Sequence, residues 1–171
     1  VVWFKQVDKD DVAFVGGKGA NLGELYRAKI PVPNGFIVTA QAYFKNLKSQ
    51  GVLDRIKGIL FNLNIEDPAH LQTKSQQCQE EIKAIKLDQG LASKIDKFYD
   101  ELSNGRDIAV AVRSSATAED LPEASFAGQQ STFLNIKGKK VLKEAILDAW
   151  ASLFEARAIF YRAEKKFDHT K

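Results

Sequence analysis

Methionine is absent from the 171 residues of this chain, cysteine occurs once, and histidine occurs twice. The single cysteine, Cys78, cannot form an internal disulfide, and its spacing from His70 and His169 does not match a zinc site. These scarcities exclude a disulfide scaffold and indicate a reducing environment such as the cytoplasm. They also argue against a metal centre built from cysteine and histidine.

Long hydrophobic runs are missing too, although 44% of the residues are hydrophobic and 27% are charged, as in ordinary globular proteins. No apolar stretch approaches the ~20 residues that a membrane-spanning helix needs. The first five residues, VVWFK, lack the basic and then apolar order of a signal peptide. We therefore expect a soluble, cytoplasmic protein with one core, because a chain of this size can bury about 70% of its unfolded surface.

Strong charge of either sign is absent as well, since the net charge is +3. Residues 137–171 contain nine Lys and Arg against five Asp and Glu, so this segment carries a charge of +4. Its basic residues share a helical pattern with acidic ones, whereas nucleic-acid-binding surfaces concentrate positive charge on one face. A solvated helix face is the simpler interpretation, and we expect no nucleic acid partner and no membrane partner.

The hydrophobic pattern of the first part of the chain predicts both helices and strands. Residues 12–15 form a short apolar run, interpreted as a strand or turn, and glycines at 16–17 separate it from a helix. Residues 36–38 predict a buried strand. Thr39 is placed to cap a helix over about residues 40–50, because its hydroxyl can accept a hydrogen bond from a free backbone amide.

The second part of the chain continues this mixed pattern. Residues 52–104 predict three helices joined by polar segments. Residues 108–112 are apolar at every position, which is typical of a strand inside a sheet, and residues 131–136 alternate like a further strand. The apolar stripe that begins at Leu142 predicts a helix that continues toward Tyr161. The long polar segment between the two strands is a natural place for a functional loop.

Residues 16–19, Gly-Gly-Lys-Gly, join the first apolar run to a helix and are suited to bind an anion. Glycine lets the backbone approach a ligand, a helix N-terminus favours negative charge, and lysine adds an ammonium group. The motif is not a P-loop, because Val12 and Gly19 stand where glycine and a hydroxyl residue are required, and Leu22 excludes a dinucleotide fingerprint. A glycine-rich helix start with a solvated lysine is the alternative.

Arg113 follows the apolar strand at the end where open sheets commonly bind ligands. If the strand is buried, the guanidinium group must reach water, a carboxylate or a ligand, because an unpaired buried charge is costly. The planar guanidinium group matches phosphate oxygens well. An ion pair with Glu119, Asp120 or Glu123 in the following loop is the alternative.

The segment 124–132 combines small residues, a glycine, amides and hydroxyls before a strand. Such a loop can fold over a polyphosphate and donate backbone hydrogen bonds to it. The alternative is a hairpin bend with Gly128 in the left-handed conformation. Clustered acids in the preceding loop are more often hydrated than bound to Mg²⁺, so we predict no metal ligand in this chain.

Three sequence blocks in order resemble a known enzyme family. Residues 15–25 read VGGKGANLGEL, residues 30–36 read IPVPNGF, and residues 112–130 read VRSSATAEDLPEASFAGQQ. Together they resemble the N-terminal nucleotide-binding region of the phosphoenolpyruvate synthases (pyruvate, water dikinases), to which pyruvate phosphate dikinases and rifampin phosphotransferases are related. Three ordered blocks are far more specific than any single block.

The resemblance implies an α+β fold for residues 1–171, namely the first, N-terminal lobe of an ATP-grasp fold with a mixed or antiparallel sheet and helices packed on it. It implies that Lys18 and Arg113 are catalytic residues that contact the ATP phosphates. The cofactor-binding residues implied are Gly16, Gly17, Lys18, Arg113, Gly128, Gln129 and Thr132. The cofactors implied are ATP and Mg²⁺, with the metal ligands outside this chain.

Enzymes of this type convert pyruvate, ATP and water to phosphoenolpyruvate, AMP and phosphate through a phosphohistidine. The implied partners are therefore ATP, pyruvate, a second ATP-grasp lobe, a phosphohistidine domain and a barrel domain, and no motif of these domains occurs before Lys171. Since the chain also lacks a starting methionine, we expect a piece of a longer ATP-dependent dikinase that is inactive alone. A rifampin-type antibiotic phosphotransferase and a non-catalytic nucleotide-binding module are the alternatives.

Overall fold

The computed structural model describes residues 1–115, 120–121, 124–125 and 131–170. Within these ranges the chain is α+β, with seven α helices and three two-stranded antiparallel sheets. The helices are α1 Val12–Arg27, α2 Ala40–Ser49, α3 Val52–Leu60, α4 Pro68–Lys83, α5 Gln89–Ser103, α6 Lys139–Ala151 and α7 Ala156–Glu164. The strands are β1 Val2–Trp3, β2 Phe36–Ile37, β3 Ala109–Arg113, β4 Asp120–Leu121, β5 Ala124–Ser125 and β6 Thr132–Lys137. None of the helices in the described ranges is both long and apolar enough to cross a membrane.

Polar caps set the helix starts that the sequence predicts. The Thr39 hydroxyl accepts a hydrogen bond from the Ala42 amide at 3.3 Å, which confirms it as the cap of α2. Asp67 accepts two amide hydrogen bonds at the start of α4, and Pro68 occupies the first helical position, where no donor is lost. Asn104, in the left-handed conformation, ends α5. The three helices predicted within residues 52–104 are confirmed as α3, α4 and α5.

Helix α1 corrects the interpretation of residues 12–15 as a strand or turn. These residues are helical, and the glycine break is a kink at Gly16, whose φ of 73° and ψ of 166° are not helical. The helix resumes at Gly17 and packs closely on the N-terminal segment. A Cβ atom at Gly23 would lie 2.4 Å from the carbonyl oxygen of Val7, so only glycine allows this approach. The kink therefore lies between two helical segments.

The last part of the chain corrects the prediction of one helix continuing toward Tyr161. A 3₁₀ turn and an extended Glu155 (φ −61°, ψ 148°) separate α6 from α7. The hydroxyl of Ser75 on α4 donates to the carbonyl oxygen of Phe154 at 2.7 Å, so a backbone group released by the interruption keeps a partner. The bend places both Phe154 and Ile159 in the main core, where they are at most 1% exposed.

Strand β3 is not an interior strand of the sheet that the structure describes. It pairs only with β6, in antiparallel register. Val110 and Val112 pack on the main core, whereas Ala109, Ala111 and Arg113 are exposed. The sequence pattern is uniformly apolar because valine alternates with alanine. Alanine is apolar but small, so it can stand on the exposed face and the pattern does not show which face is buried. One face of the β3–β6 sheet is therefore covered by the core and the other is open.

The main core lies between helices α2 to α7 and the inner face of the β3–β6 sheet. A smaller cluster of Val7, Val15 and Ala20 holds α1 against the N-terminal strands. Trp3 connects the two parts, because its ring stacks on Phe98 of α5 with a centroid distance of 4.7 Å. The N-terminal segment is thereby fixed relative to the helices.

Tyr99 of α5 bridges the two strands of the β3–β6 sheet at the end where β3 begins and β6 ends. Its hydroxyl donates to the carbonyl oxygen of Ile108 at 2.6 Å and accepts from the amide of Gly138 at 3.0 Å, and the residue is 1% exposed. We expect Tyr99→Phe to lower the free energy of unfolding by about 1–3 kcal/mol, because it removes the hydrogen-bond partner of a part-buried carbonyl and of a part-buried amide. Urea unfolding of the chain measures the change. The half-exposed Tyr26 is the control, and an equal loss in Tyr26→Phe would contradict the bridging role.

Candidate functional site

The last pair of the β3–β6 sheet brings together two of the residues that the sequence singles out. Arg113 at the end of β3 is directly opposite Thr132 at the start of β6. Both residues are exposed. The Arg113 guanidinium group is therefore not a buried charge that needs a partner, as it would be at the end of an interior strand. A cation and a hydroxyl side chain therefore stand next to each other at an accessible strand end.

The start of β6 is held in place by the junction between α6 and α7. The hydroxyl of Ser131 donates to a carboxylate oxygen of Glu155 at 2.6 Å. The other carboxylate oxygen of Glu155 accepts from the Arg157 guanidinium at 2.8 Å. Glu155 is the extended residue that separates the last two helices, so the interruption of the helix also provides the anchor beside Thr132.

The kink of α1 is in direct contact with the end of β3. Gly16 has a φ of 73°, a conformation that residues with a side chain rarely adopt. A Cβ atom at this position would lie 2.3 Å from the hydroxyl oxygen and 2.4 Å from the carbonyl oxygen of Ser115. Glycine is therefore required here both for the backbone conformation and for the close approach of the two segments.

A hydrogen bond joins the same two segments. The amide of Gly19 donates to the hydroxyl oxygen of Ser115 at 3.1 Å, across 96 residues of sequence. Lys18, which is partly buried, immediately precedes Gly19, and Arg113 precedes Ser115 by two residues. The fold thus brings the segment that contains Gly16, Gly17 and Lys18 to the strand end that carries Arg113.

Part of the predicted site lies outside the described residues. Gly128 and Gln129 belong to this part, as do Glu119, Glu123 and the side chain of Asp120, which were considered as ion-pair partners of Arg113. The described part combines glycine backbone, a helix N-terminus, an ammonium group and a guanidinium group. These are the groups with which proteins bind phosphates, and each of them favours negative charge.

Metal-binding and reactive cysteine chemistry find no support in the described residues. They contain no group of three or more His, Cys, Asp and Glu side chains that could hold a metal ion. Burial raises the pKa of the Cys78 thiol to about 12, so the thiol stays protonated and is a poor nucleophile. Cys78 belongs to the main core and contributes to packing.

Two basic side chains with strongly lowered pKa values lie close together in α7 and the segment after it. The sequence analysis did not connect these two residues. Burial lowers the pKa of Arg162 to about 10, and burial together with Arg162 lowers the pKa of His169 to about 4. The Arg162 guanidinium donates to Nδ1 of His169 at 3.2 Å and lies 5.2 Å from the centre of the Phe154 ring. The lowered pKa favours the neutral imidazole, which accepts this hydrogen bond and connects the segment around residue 169 to α7.

The contribution of Ser115 could not be assigned from the sequence, although it belongs to the Arg113 motif. The one signal is indirect: a helix that starts after two glycines has no side chain at its own start to accept an amide hydrogen bond. Such a helix needs an acceptor from elsewhere in the chain. Sequence alone does not show which of the many hydroxyl residues supplies it.

Comparison with known proteins gives a family match over most of the chain. Residues 12–171 match the family described as pyruvate phosphate dikinase, AMP/ATP-binding domain. A probable phosphoenolpyruvate synthase of Methanothermobacter thermautotrophicus is 49% identical over the whole chain, and the phosphoenolpyruvate synthase of Neisseria meningitidis serogroup B is 44% identical over 99% of it. The phosphoenolpyruvate synthase of Pyrococcus furiosus is 40% identical over the whole chain.

These relatives are much longer than the chain. It spans 25% of the Methanothermobacter protein, 22% of the Neisseria protein and 25% of the Pyrococcus protein. The matches confirm the resemblance that the three sequence blocks carry, and they extend it over nearly all residues. The chain belongs to the family of pyruvate phosphate dikinase AMP/ATP-binding domains.

Proposed function

We propose that this chain is the N-terminal lobe of an ATP-grasp nucleotide-binding domain in a phosphoenolpyruvate synthase. The names of the relatives and the family support the nucleotide and the enzyme class. The observation that carries the proposal is the hydrogen bond from the Gly19 amide to the Ser115 hydroxyl. It joins the glycine-rich helix start to the strand end of Arg113, and a phosphate site built from Lys18 and Arg113 requires this proximity.

In this proposal Lys18 and Arg113 bind the ATP phosphates as the catalytic residues of the lobe. The guanidinium group of Arg113 can donate two parallel hydrogen bonds to phosphate oxygens, while the ammonium group of Lys18 acts as a point charge. Gly16 and Gly17 allow the backbone to approach the phosphates, and the Thr132 hydroxyl stands beside Arg113. Phosphoryl transfer depends mainly on positioning and on neutralising developing negative charge, and both cations serve these ends.

Gly128 and Gln129 complete the proposed nucleotide site as part of the loop that precedes Thr132. Their glycine backbone and side-chain amide suit hydrogen bonds to a polyphosphate. The Mg²⁺ that accompanies ATP does not fit the described residues, which contain no cluster of acidic ligands. We propose that the ligands of this metal ion belong to another part of the protein.

The remaining parts of the reaction are assigned to the rest of a longer protein. The chain spans about a quarter of the length of its relatives, so the second lobe, the phosphohistidine and the pyruvate site would be provided elsewhere. We propose that ATP, water and pyruvate are converted to phosphoenolpyruvate, AMP and phosphate by that assembly. The chain alone lacks the opposite wall of the cleft and is expected to be inactive.

Replacing Lys18 by alanine in the full-length protein tests the nucleotide role. A hydrogen bond to a charged group contributes about 1.5–3 kcal/mol, so we expect kcat/KM for ATP to fall by about 10- to 150-fold. The exposed Lys45 on α2 is the matched control, because Lys45→Ala removes the same charge from another surface. Steady-state kinetics with varied ATP measure the difference. Near-normal kcat/KM in Lys18→Ala would contradict the assigned role.

A further inference from the structure

Helix α1 has no side-chain cap of its own after the kink. Gly16 precedes the first helical residue of the resumed helix and therefore occupies the N-cap position, with Gly17, Lys18 and Gly19 as the first three helical residues. An N-cap side chain normally accepts a hydrogen bond from the amide of the second or third helical residue. Glycine cannot supply this acceptor, so the helical segment after the kink depends on another part of the chain for its cap.

Ser115 supplies the missing acceptor. Its hydroxyl oxygen is 3.1 Å from the amide nitrogen of Gly19, which is the third helical residue and a usual target of an N-cap side chain. The room that a Cβ atom of Gly16 would fill is taken by the hydroxyl and carbonyl oxygens of the same serine. Because Gly16 has no side chain, the Ser115 hydroxyl has room to lie at the helix start and accept the hydrogen bond from Gly19.

We propose that Ser115, two residues beyond β3, is a positioning residue that caps the part of α1 after the kink and thereby holds Lys18 in place relative to Arg113. The capping is independent of any ligand, whereas its consequence for ATP rests on the proposed function. Lys18 lies in the first turn of the helix, between the glycine kink and the capped amide. If the cap is removed, this turn loses its hydrogen bond to the segment that follows β3 and is held there only by the packing of Gly16 against Ser115. Lys18 is then held less firmly relative to Arg113.

The capping is tested by amide hydrogen exchange in the full-length protein. Ser115→Ala removes the acceptor and keeps the backbone, so the amides of the first turn after the Gly16 kink are expected to exchange about fivefold faster, which corresponds to the loss of a typical N-cap. Ser131→Ala is the matched control, since it removes a hydroxyl that bonds to Glu155 and not to α1. Unchanged exchange in Ser115→Ala, or an equal increase in Ser131→Ala, would overturn the proposal.

The positioning role is tested by combining Ser115→Ala with Lys18→Ala. Because Ser115 acts through Lys18, the serine substitution is expected to lower kcat/KM for ATP about fivefold in the normal protein and to have little effect where Lys18 is already alanine. A loss of the same size in both backgrounds would overturn the positioning role. If Lys18→Ala itself leaves ATP kinetics unchanged, the proposed function fails, while the exchange measurement still decides whether Ser115 is the cap.

Discussion

Arg113→Ala is expected to abolish most of the ATP-dependent activity of the full-length protein. Removing one preorganised donor from a transition state commonly costs about 100- to 1000-fold in kcat, and a guanidinium group aimed at phosphate oxygens is a donor of this kind. Arg113 is exposed, and its pairing with Thr132 is made by the backbone. The substitution should therefore leave the fold intact, and steady-state kinetics at saturating ATP measure its effect.

Two further variants separate the shape of the Arg113 side chain from its charge. Arg113→Lys keeps the charge but not the planar fork, so we expect an intermediate loss. Arg106→Ala removes an exposed guanidinium just before β3, at the other end of the same strand, and should have little effect. Activity of Arg113→Ala within a few-fold of normal would refute the role of this residue in phosphate binding.

Gly16→Ala is expected to destabilise the chain by about 2–6 kcal/mol. A residue with a side chain is strained at a φ of 73° and a ψ of 166°, which costs about 1–3 kcal/mol, and the added Cβ overlaps the backbone oxygen of Ser115, which costs about as much again. Either the kink opens or the end of β3 moves. Both outcomes separate Lys18 from Arg113, so activity should fall together with stability.

Urea unfolding of the chain measures this effect, and Gly58 provides a control of the opposite sign. Gly58 lies inside α3, where an added Cβ meets no atom within 4 Å. Gly58→Ala should therefore stabilise the chain by up to about 1 kcal/mol through helix propensity. A Gly16→Ala variant as stable as the normal chain would show that the contact between the kink and Ser115 is not required.

The elements that the sequence predicts well are those whose signals are local. Thr39 caps α2 through the amide of Ala42, three residues away, so its role is visible in a short window of sequence. The three ordered blocks identify the family for the same reason, since each is a contiguous motif. The helices between residues 52 and 104 follow from apolar spacing within each segment.

The errors arise where a partner distant in sequence decides the local structure. The last helix is interrupted because Phe154 and Ile159 both enter the core, and apolar periodicity alone does not show that a bend is needed. The valines and alanines of β3 read as uniformly apolar, although only the valines face the core. In both cases the burial of each residue depends on packing against other elements.

The sequence by itself determined the family, the cap of α2, the three helices within residues 52–104 and the candidate residues Lys18, Arg113 and Thr132. Only the tertiary structure decided that the Lys18 and Arg113 motifs meet, through the contact of Gly16 and Gly19 with Ser115. The physical reason is that this contact spans 96 residues. Its geometry depends on how α1 and β3 pack, and no pattern within either segment encodes that arrangement.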